Sequence, residues 1–304
     1  MTSPESGSGR TSVVIPCYRE DRYLAEAMQS VAEQSCSALE LIVIDDGSPQ
    51  PIQPPHNWTT PALHWIRTEN RGLGAARNAG IEQSAGEFIA FLDADDKWAA
   101  DKLKLQQACL DANPHAVACY TRCIDAPGYF PFGPYPSSRL EPPKMAAHLW
   151  RELYFPPSTL MVRAEVLRNV HGFAEGLSNG EDLEMYIKLL KQGSIVGVDV
   201  PLVWYRMHDK QVTNNEIRRV MGGKQARQLV IKNHLDLLQQ GGVTDQSLWH
   251  DYRASVMLAY YRRNFAAARV MLWDYWKDHP SDWRILMYWM ISHLPPRLVA
   301  RIKD

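Results

Sequence analysis

Three short runs constrain this chain more than anything else in it: "SVVIP" at 12–16, "LELIVID" at 39–45 and "EFIAFLD" at 87–93. They are rich in β-branched, aliphatic and aromatic residues with almost no polar alternation, so each reads as a strand buried on both faces. The segments between them have helical spacing. Residues 23–34 place Leu24, Ala27, Met28 and Val31 on one side, "AARNAGIEQSAG" (75–86) runs to a glycine cap, and "DKLKLQQACLDANP" (101–114) is stopped by Asn-Pro. "ALHWI" (62–66) and "AVACY" (116–120) add two more strands. Strands that alternate with helices and need cover on both sides imply an α/β fold with a mostly parallel central sheet.

The pattern continues with "STLMVR" as a strand, "AEVLRNV" and "EDLEMYIKLLKQG" as helices, and "SIVGVD" and "LVWYR" as two closing strands. The Pro- and Gly-rich stretch 124–143 reads as one long loop of the kind that covers a site. From about residue 216 the pattern is wholly helical and rich in Trp and Tyr. A hydrophobic share of 45% is enough for a sizeable core, and 33 Lys+Arg against 34 Asp+Glu gives no polyelectrolyte reason to expect nucleic acid as a partner. Five cysteines at 17, 36, 109, 119 and 123 form no CxxC pair, the polar start "MTSPESGSGR" has no apolar signal region, and no stretch approaches the roughly 20 apolar residues of a membrane span. These features imply reduced thiols, a disordered lead-in over 1–10 and a cytoplasmic setting.

The chemistry concentrates at strand ends. The run Phe88–Leu92 stops in three carboxylates, Asp93, Asp95 and Asp96. If the chain stays extended, alternation sends Asp93 and Asp95 to the same side, where they repel. A divalent cation, Mn²⁺ or Mg²⁺, would relieve this and could hold a diphosphate. The competing reading is that Asp95 or Asp96 caps a helix starting near Trp98. An EF-hand is excluded because Trp98 stands where that loop needs glycine. "IVIDDGS" puts Asp45 and Asp46 at another strand end, either to bind a base or ribose or to bond the turn's own backbone. "GLGAAR" fails as a dinucleotide fingerprint, since Arg77 stands where the third glycine belongs. It leaves a turn feeding a helix N-terminus, with Arg71 and Arg77 either placed to receive a phosphate or nucleotide edge or simply solvated beside a flexible turn. Glu181 and Asp182 open a helix after "SNG", as dipole-stabilising residues or with Asp182 as a general base. His208 follows a strand in "YRMH", as a structural histidine or a ligand.

Taken in order, "VVIPCYRE", "LELIVIDDGS", "NRGLGAARNAGI", "GEFIAFLDADDKW", "HGFAEGL", "GEDLEMYIKL" and "YRMH" resemble family 2 glycosyltransferases, inverting enzymes of the GT-A fold. The resemblance covers residues 11 to about 212 and implies a catalytic domain there, followed by a helical region over 213–304. It implies that Pro16, Tyr18 and Glu20 wall the nucleoside, that Asp46 recognises the base, and that Asp93 with Ala94 meets the donor sugar nucleotide at its ribose. It gives Asp95, and with it His208, a metal bridging the donor diphosphate. Asp182 is then the general base and Glu181 its support. The implied donor is a nucleotide-diphosphate sugar, UDP-linked by preference, and the implied acceptor a glycan or lipid-linked hydroxyl in cell-surface polysaccharide synthesis. No "QxxRW" follows the ED motif, so single transfers are expected, not processive polymerisation. A nucleotidyltransferase is disfavoured by "PCYRE" after the first strand, and a non-catalytic binding protein by the intact carboxylates. The tail "DWRILMYWMISHLPPRLVARIKD" suits either an anionic membrane surface or packing onto the core or a second subunit.

Overall fold

Alternate residues of the central strands bury into two separate cores, which is why those runs carry so few polar side chains. Val14, Ile42, Ile44, Ile89 and Phe91 belong to one core, while Val13, Ile15, Leu41, Val43, Ala90 and Leu92 belong to the other. Each fully buried Val, Ile, Leu or Phe among them contributes about 1.5–3 kcal/mol. The computed structural model describes residues 9–19, 22–124, 127, 140–151, 155–209, 211, 216–245 and 247–294.

In chain order the elements are β1 (Thr11–Cys17), α1 (Leu24–Ala32), β2 (Glu40–Asp45), β3 (Ala62–Arg67), α2 (Leu73–Gln83), β4 (Phe88–Phe91), β5 (Lys97–Trp98) and α3 (Lys102–Ala112). They continue with β6 (Ala116–Cys123), α4 (Pro142–Arg151), β7 (Leu160–Arg163), α5 (Ala164–Asn169), α6 (Glu181–Leu190) and β8 (Ser194–Trp204). Among the described residues four helices follow: α7 (Glu216–Gln240), α8 (His250–Tyr261), α9 (Phe265–Asp278) and α10 (Trp283–Ile291). The sheet order is β3-β2-β1-β4-β7-β6-β8-β5. Pairs β3/β2, β2/β1, β1/β4 and β6/β8 are parallel, and β7 and β5 run against their neighbours. The expected α/β architecture with a mostly parallel sheet is therefore present. From β1 the chain goes to β2 and β3 on one side and to β4 on the other. The carboxyl ends of β1, β2 and β4 thus open a crevice at a topological switch point.

The structure corrects several local expectations. Residues 142–151 form α4, although the Pro-rich text reads as loop. Prolines are tolerated in a helix's first turn, and Met145, Ala146, Leu149 and Trp150 supply a buried face. Most of the rest of 124–143 lies outside the described residues. "SIVGVD" and "LVWYR" are one strand, β8, whose pairing with β6 shifts register on either side of the Arg122–Pro201 pair and so accommodates the proline. Gly86 does not cap α2, which ends at Ser84 with the Ser84 hydroxyl donating to the Ile81 carbonyl at 2.7 Å. A Cβ at Gly86 would instead lie 2.6 Å from the Ser12 nitrogen. Residues 1–8 of the lead-in lie outside the described residues. Arg10 is tied down, pairing with Glu87 and Asp111. All five cysteines are free thiols.

The helical region divides its loyalties. The second half of α7 contributes Val230, Leu237 and Leu238 to the sheet's core, whereas α8, α9 and α10 pack their Tyr and Met side chains into a third core. α10 buries Ile285 there and leaves Trp283 and Met290 exposed. The basic end of the tail lies outside the described residues. Among the described residues no helix is long and apolar enough to cross a membrane.

Candidate active site

A cavity of about 1000 Å³ occupies the switch point, and its lining gathers most of the side chains singled out above: Pro16, Tyr18, Asp46, Arg77, Asp93, Ala94, Asp95, Glu181, Asp182 and His208. Arg71 is not on its wall. Its guanidinium turns outward and pairs with Glu175. Glu20 lies outside the described residues.

The chain does not stay extended through the carboxylates. It turns at Ala94–Asp95, with the Asp96 amide donating to the Asp93 carbonyl at 3.0 Å. Each carboxylate consequently has its own partner. Asp93 accepts from Arg77 Nη2 at 2.8 Å, and Asp95 Oδ2 lies 2.9 Å from His208 Nε2. Asp96 caps no helix, because Lys97–Trp98 form β5 and α3 starts only at Lys102. It is buried and accepts from the Ser158 hydroxyl at 2.6 Å and the Arg206 amide at 3.0 Å. Ser158 Oγ in turn accepts the Asp93 amide at 3.1 Å, and Arg206 Nε donates to the Asp95 carbonyl at 2.8 Å. Asp96 is thus the internal peg that fixes the turn against β7 and β8. The crowding still shows electrostatically. Burial and the Asp93 charge push the Asp95 carboxyl up, while His208 opposes the shift. Burial and both neighbouring carboxylates push Asp96 up much further.

Arg77 holds the two acidic motifs together. Its side chain is 1% exposed and donates to Asp93 through Nη2 and to Glu181 through Nη1 at 2.7 Å, with the guanidinium 5.2 Å from the Phe173 ring centre. Burial works against its charge, but the two carboxylates outweigh it and raise its pKa. It is no solvated arginine beside a flexible turn, and a phosphate would have to compete with both carboxylates for it. The sequence offered that arginine as a phosphate candidate, not as the counter-ion shared by two carboxylates.

α6 begins directly at the cavity. Gly180 precedes it with φ +84°, a left-handed conformation that costs other residues roughly 1–2 kcal/mol. A Cβ there would also meet the Ala226 Cβ at 2.9 Å. The Asp182 carboxylate accepts the Leu183 amide at 2.7 Å in the first turn, where the helix dipole favours negative charge. Burial and the neighbouring Glu181 nevertheless push its pKa up to about 7.

At the end of β2 the two adjacent aspartates separate in role. Asp45 bonds its own turn, accepting from the Ser48 and Ile52 amides and pairing with Arg67. Asp46 reaches across the crevice and accepts the Arg71 and Gly72 amides, both at 3.0 Å, which ties the start of α2 to the sheet.

The profile of glycosyl transferase family 2 matches residues 12–170, more than half of the chain. The chain belongs to that family. It is a glycosyltransferase with a GT-A fold. Its relatives include an uncharacterized glycosyltransferase of Rickettsia typhi, 27% identical over 69% of this chain and 67% of the relative. A putative teichuronic acid biosynthesis glycosyltransferase of Bacillus subtilis, TuaG, is 26% identical over 67% of this chain and 82% of its own length. Chondroitin synthase of Escherichia coli is 30% identical over 60% of this chain, but the match spans only 26% of that longer protein. Among solved structures, S. aureus TarS 1–349 in complex with UDP-GlcNAc superposes with a TM-score of 0.61 at 19% identity, over 86% of this chain and 80% of that one. The Pyrobaculum calidifontis mannosyltransferase PcManGT, in complex with GDP-Man and Mn²⁺, gives 0.56 at 17% identity, over 94% of this chain and 86% of that one.

Proposed function

We propose that this glycosyltransferase moves one sugar from a nucleotide-diphosphate sugar to an acceptor hydroxyl with inversion at the anomeric carbon. The observation that carries the reading is the cavity itself, which brings Asp182 together with Asp46, Asp93, Asp95 and His208 on its walls. Asp182 takes the proton of the acceptor hydroxyl as that oxygen bonds to the anomeric carbon. The bond to the diphosphate oxygen breaks on the opposite side, and the nucleoside diphosphate leaves. Asp46 and Tyr18 face the nucleoside, Asp93 the ribose, and Glu181 steadies the base through Arg77. The nucleotide sugars named for the two solved structures, one UDP-linked and one GDP-linked, support a donor of that class, and we take the UDP-linked form as the preferred one. The relatives TuaG and chondroitin synthase support a glycan acceptor in cell-surface polysaccharide synthesis.

Asp95 and His208 fit a divalent cation such as Mn²⁺ or Mg²⁺, since carboxylate and imidazole both suit these ions and the pair is already preassembled at 2.9 Å. Among the described residues no group of three or more His, Cys, Asp or Glu side chains is arranged to hold a metal ion, so Asp95 and His208 are the residues that would hold it. When bound, such an ion supplies positive charge to the departing diphosphate. Asp95→Ala is expected to remove the cation-dependent part of nucleotide affinity. Calorimetry with UDP, with and without Mn²⁺, reads this directly, and undiminished Mn²⁺-dependent affinity would refute the assignment.

The reaction is tested by its products, because donor turnover must release a nucleoside diphosphate; release of pyrophosphate would mark a nucleotidyltransferase instead. The acidity of Asp182 adds a signature. A general base works only when ionised, so kcat/KM should fall as pH drops through about 7 and level off above it. A rate independent of pH between 5 and 8 would remove Asp182 from that role.

A further inference from the structure

The cavity has another wall that the donor chemistry leaves unused. The first half of α7 lines it with Arg218, Arg219 and Arg227. Close backbone packing puts it there. A Cβ at Gly222 would lie 2.6 Å from the Asn179 nitrogen, and one at Gly180 would lie 3.5 Å from the Gly223 Cα. These cations therefore stand beside the turn that carries Asp182, where an acceptor must arrive to lose its proton. Asp95 and His208 come from a different wall, at the ends of β4 and β8.

Much of the positive charge of α7 is already engaged. Lys224 pairs with Asp274 at 2.5 Å and Asp278 at 2.7 Å. Arg227 Nη1 donates to the Trp150 carbonyl at 2.7 Å, with its guanidinium 4.6 Å from the Trp150 ring centre, and Arg218 Nε donates to the Ser178 carbonyl at 3.1 Å. Arg219 differs. It is half-buried, and its guanidinium has no hydrogen-bond or ion-pair partner among the described residues. A guanidinium fork matches a phosphate or carboxylate in two-point contact.

We propose that the acceptor is anionic, with a phosphate or carboxylate close to the reacting hydroxyl, and that Arg219 binds this group in the field of Arg218 and Arg227. The inference rests on the assignment of Asp182 as the base of the transfer site. It also answers an electrostatic need, since an anionic acceptor would repel an ionised Asp182 unless cations stood beside both.

The test is calorimetry with the donor end saturated by UDP and Mn²⁺, using three probes: a poly(glycerol phosphate) oligomer, an oligoglucuronate and a neutral glucan oligomer. Phosphate or uronate oligomers should bind and the neutral one should not, and the one that binds identifies the source of the oxyanion. Arg219→Ala should weaken that binding about tenfold or more, the loss of one charge-assisted contact. Arg219→Lys should fall between, and UDP affinity should stay within twofold. Arg284→Ala, the same charge loss on the exposed face of α10, should leave oligomer binding unchanged. The proposal is overturned if charged and neutral oligomers bind alike, if neither charged oligomer binds, if Arg284→Ala matches Arg219→Ala, or if Arg219→Ala weakens UDP instead. Failure of UDP itself to bind would count against the donor assignment, while the oligomer titrations would still decide the inference.

Discussion

Asp182→Asn is expected to lower kcat by about 10²–10⁴-fold, the usual contribution of a general base, while nucleotide affinity stays within twofold. Asparagine keeps the shape and the acceptor oxygen that receives the Leu183 amide, so the loss reads the missing proton acceptor and not a collapsed turn. A second measurement makes the expectation harder to satisfy by accident. The folded-state pKa of Asp182, about 7, lies above the ordinary carboxylate value that it takes in the unfolded chain. At low pH both states hold the proton and the shift has no effect. As pH rises towards 7, the unfolded state ionises first and gains over the folded one. The native residue thus lowers stability progressively up to about pH 7, and asparagine removes that burden. Thermal melts should show the variant equal to the native protein below the unfolded-state pKa, at about pH 3, and more stable at pH 8. A variant that loses activity and also melts lower at pH 8 would show that Asp182 is a structural acid.

Removing Arg77 should damage the fold severely. Arg77→Met keeps much of the side-chain length but leaves Asp93 and the nearly buried Glu181 without their shared cation, which is expected to cost about 3–5 kcal/mol. Urea denaturation monitored by tryptophan fluorescence measures this as a drop in midpoint. Arg77→Lys should recover only part of the loss, because an ammonium presents no planar fork to two carboxylates at once. Equal stability of all three proteins would overturn the ion-pair account.

Most of the sheet was legible in the sequence because its strands are buried on both faces, so Val13–Ile15, Leu41–Ile44 and Phe88–Leu92 could hardly be anything else. Where local chemistry gives two signals at once, the text misled. Pro142 and Pro143 look like loop yet occupy a helix's first turn, and Pro201 looks like a strand end yet sits between register shifts of β8. The carboxylates at the end of β4 stood out as a candidate site, but alternation along a strand could not foresee a turn at Ala94–Asp95. Nor could it foresee that Asp96 would be claimed by Ser158 and Arg206, residues 62 and 110 positions away. Arg77 shows the same limit, since its role depends on Glu181, 104 positions further on. Local sequence names the groups that can ionise. Which of them share a proton or a counter-ion is decided by the crossing of distant segments.

The two ends of the cavity are written in separate stretches of the chain. Asp46, Asp93 and Asp95 come from the stretch that the family profile matches, whereas Asp182 and the arginines of α7 come after residue 170, where that match ends; His208, beside Asp95, is an exception that also comes from the later stretch. On the proposed assignment, most of what would hold the nucleotide and what would receive the acceptor can therefore diverge independently, like a lock whose bolt and keyway are cast as different parts. Exchanging α7 with that of a relative should change what is glycosylated while the nucleotide sugar consumed stays the same.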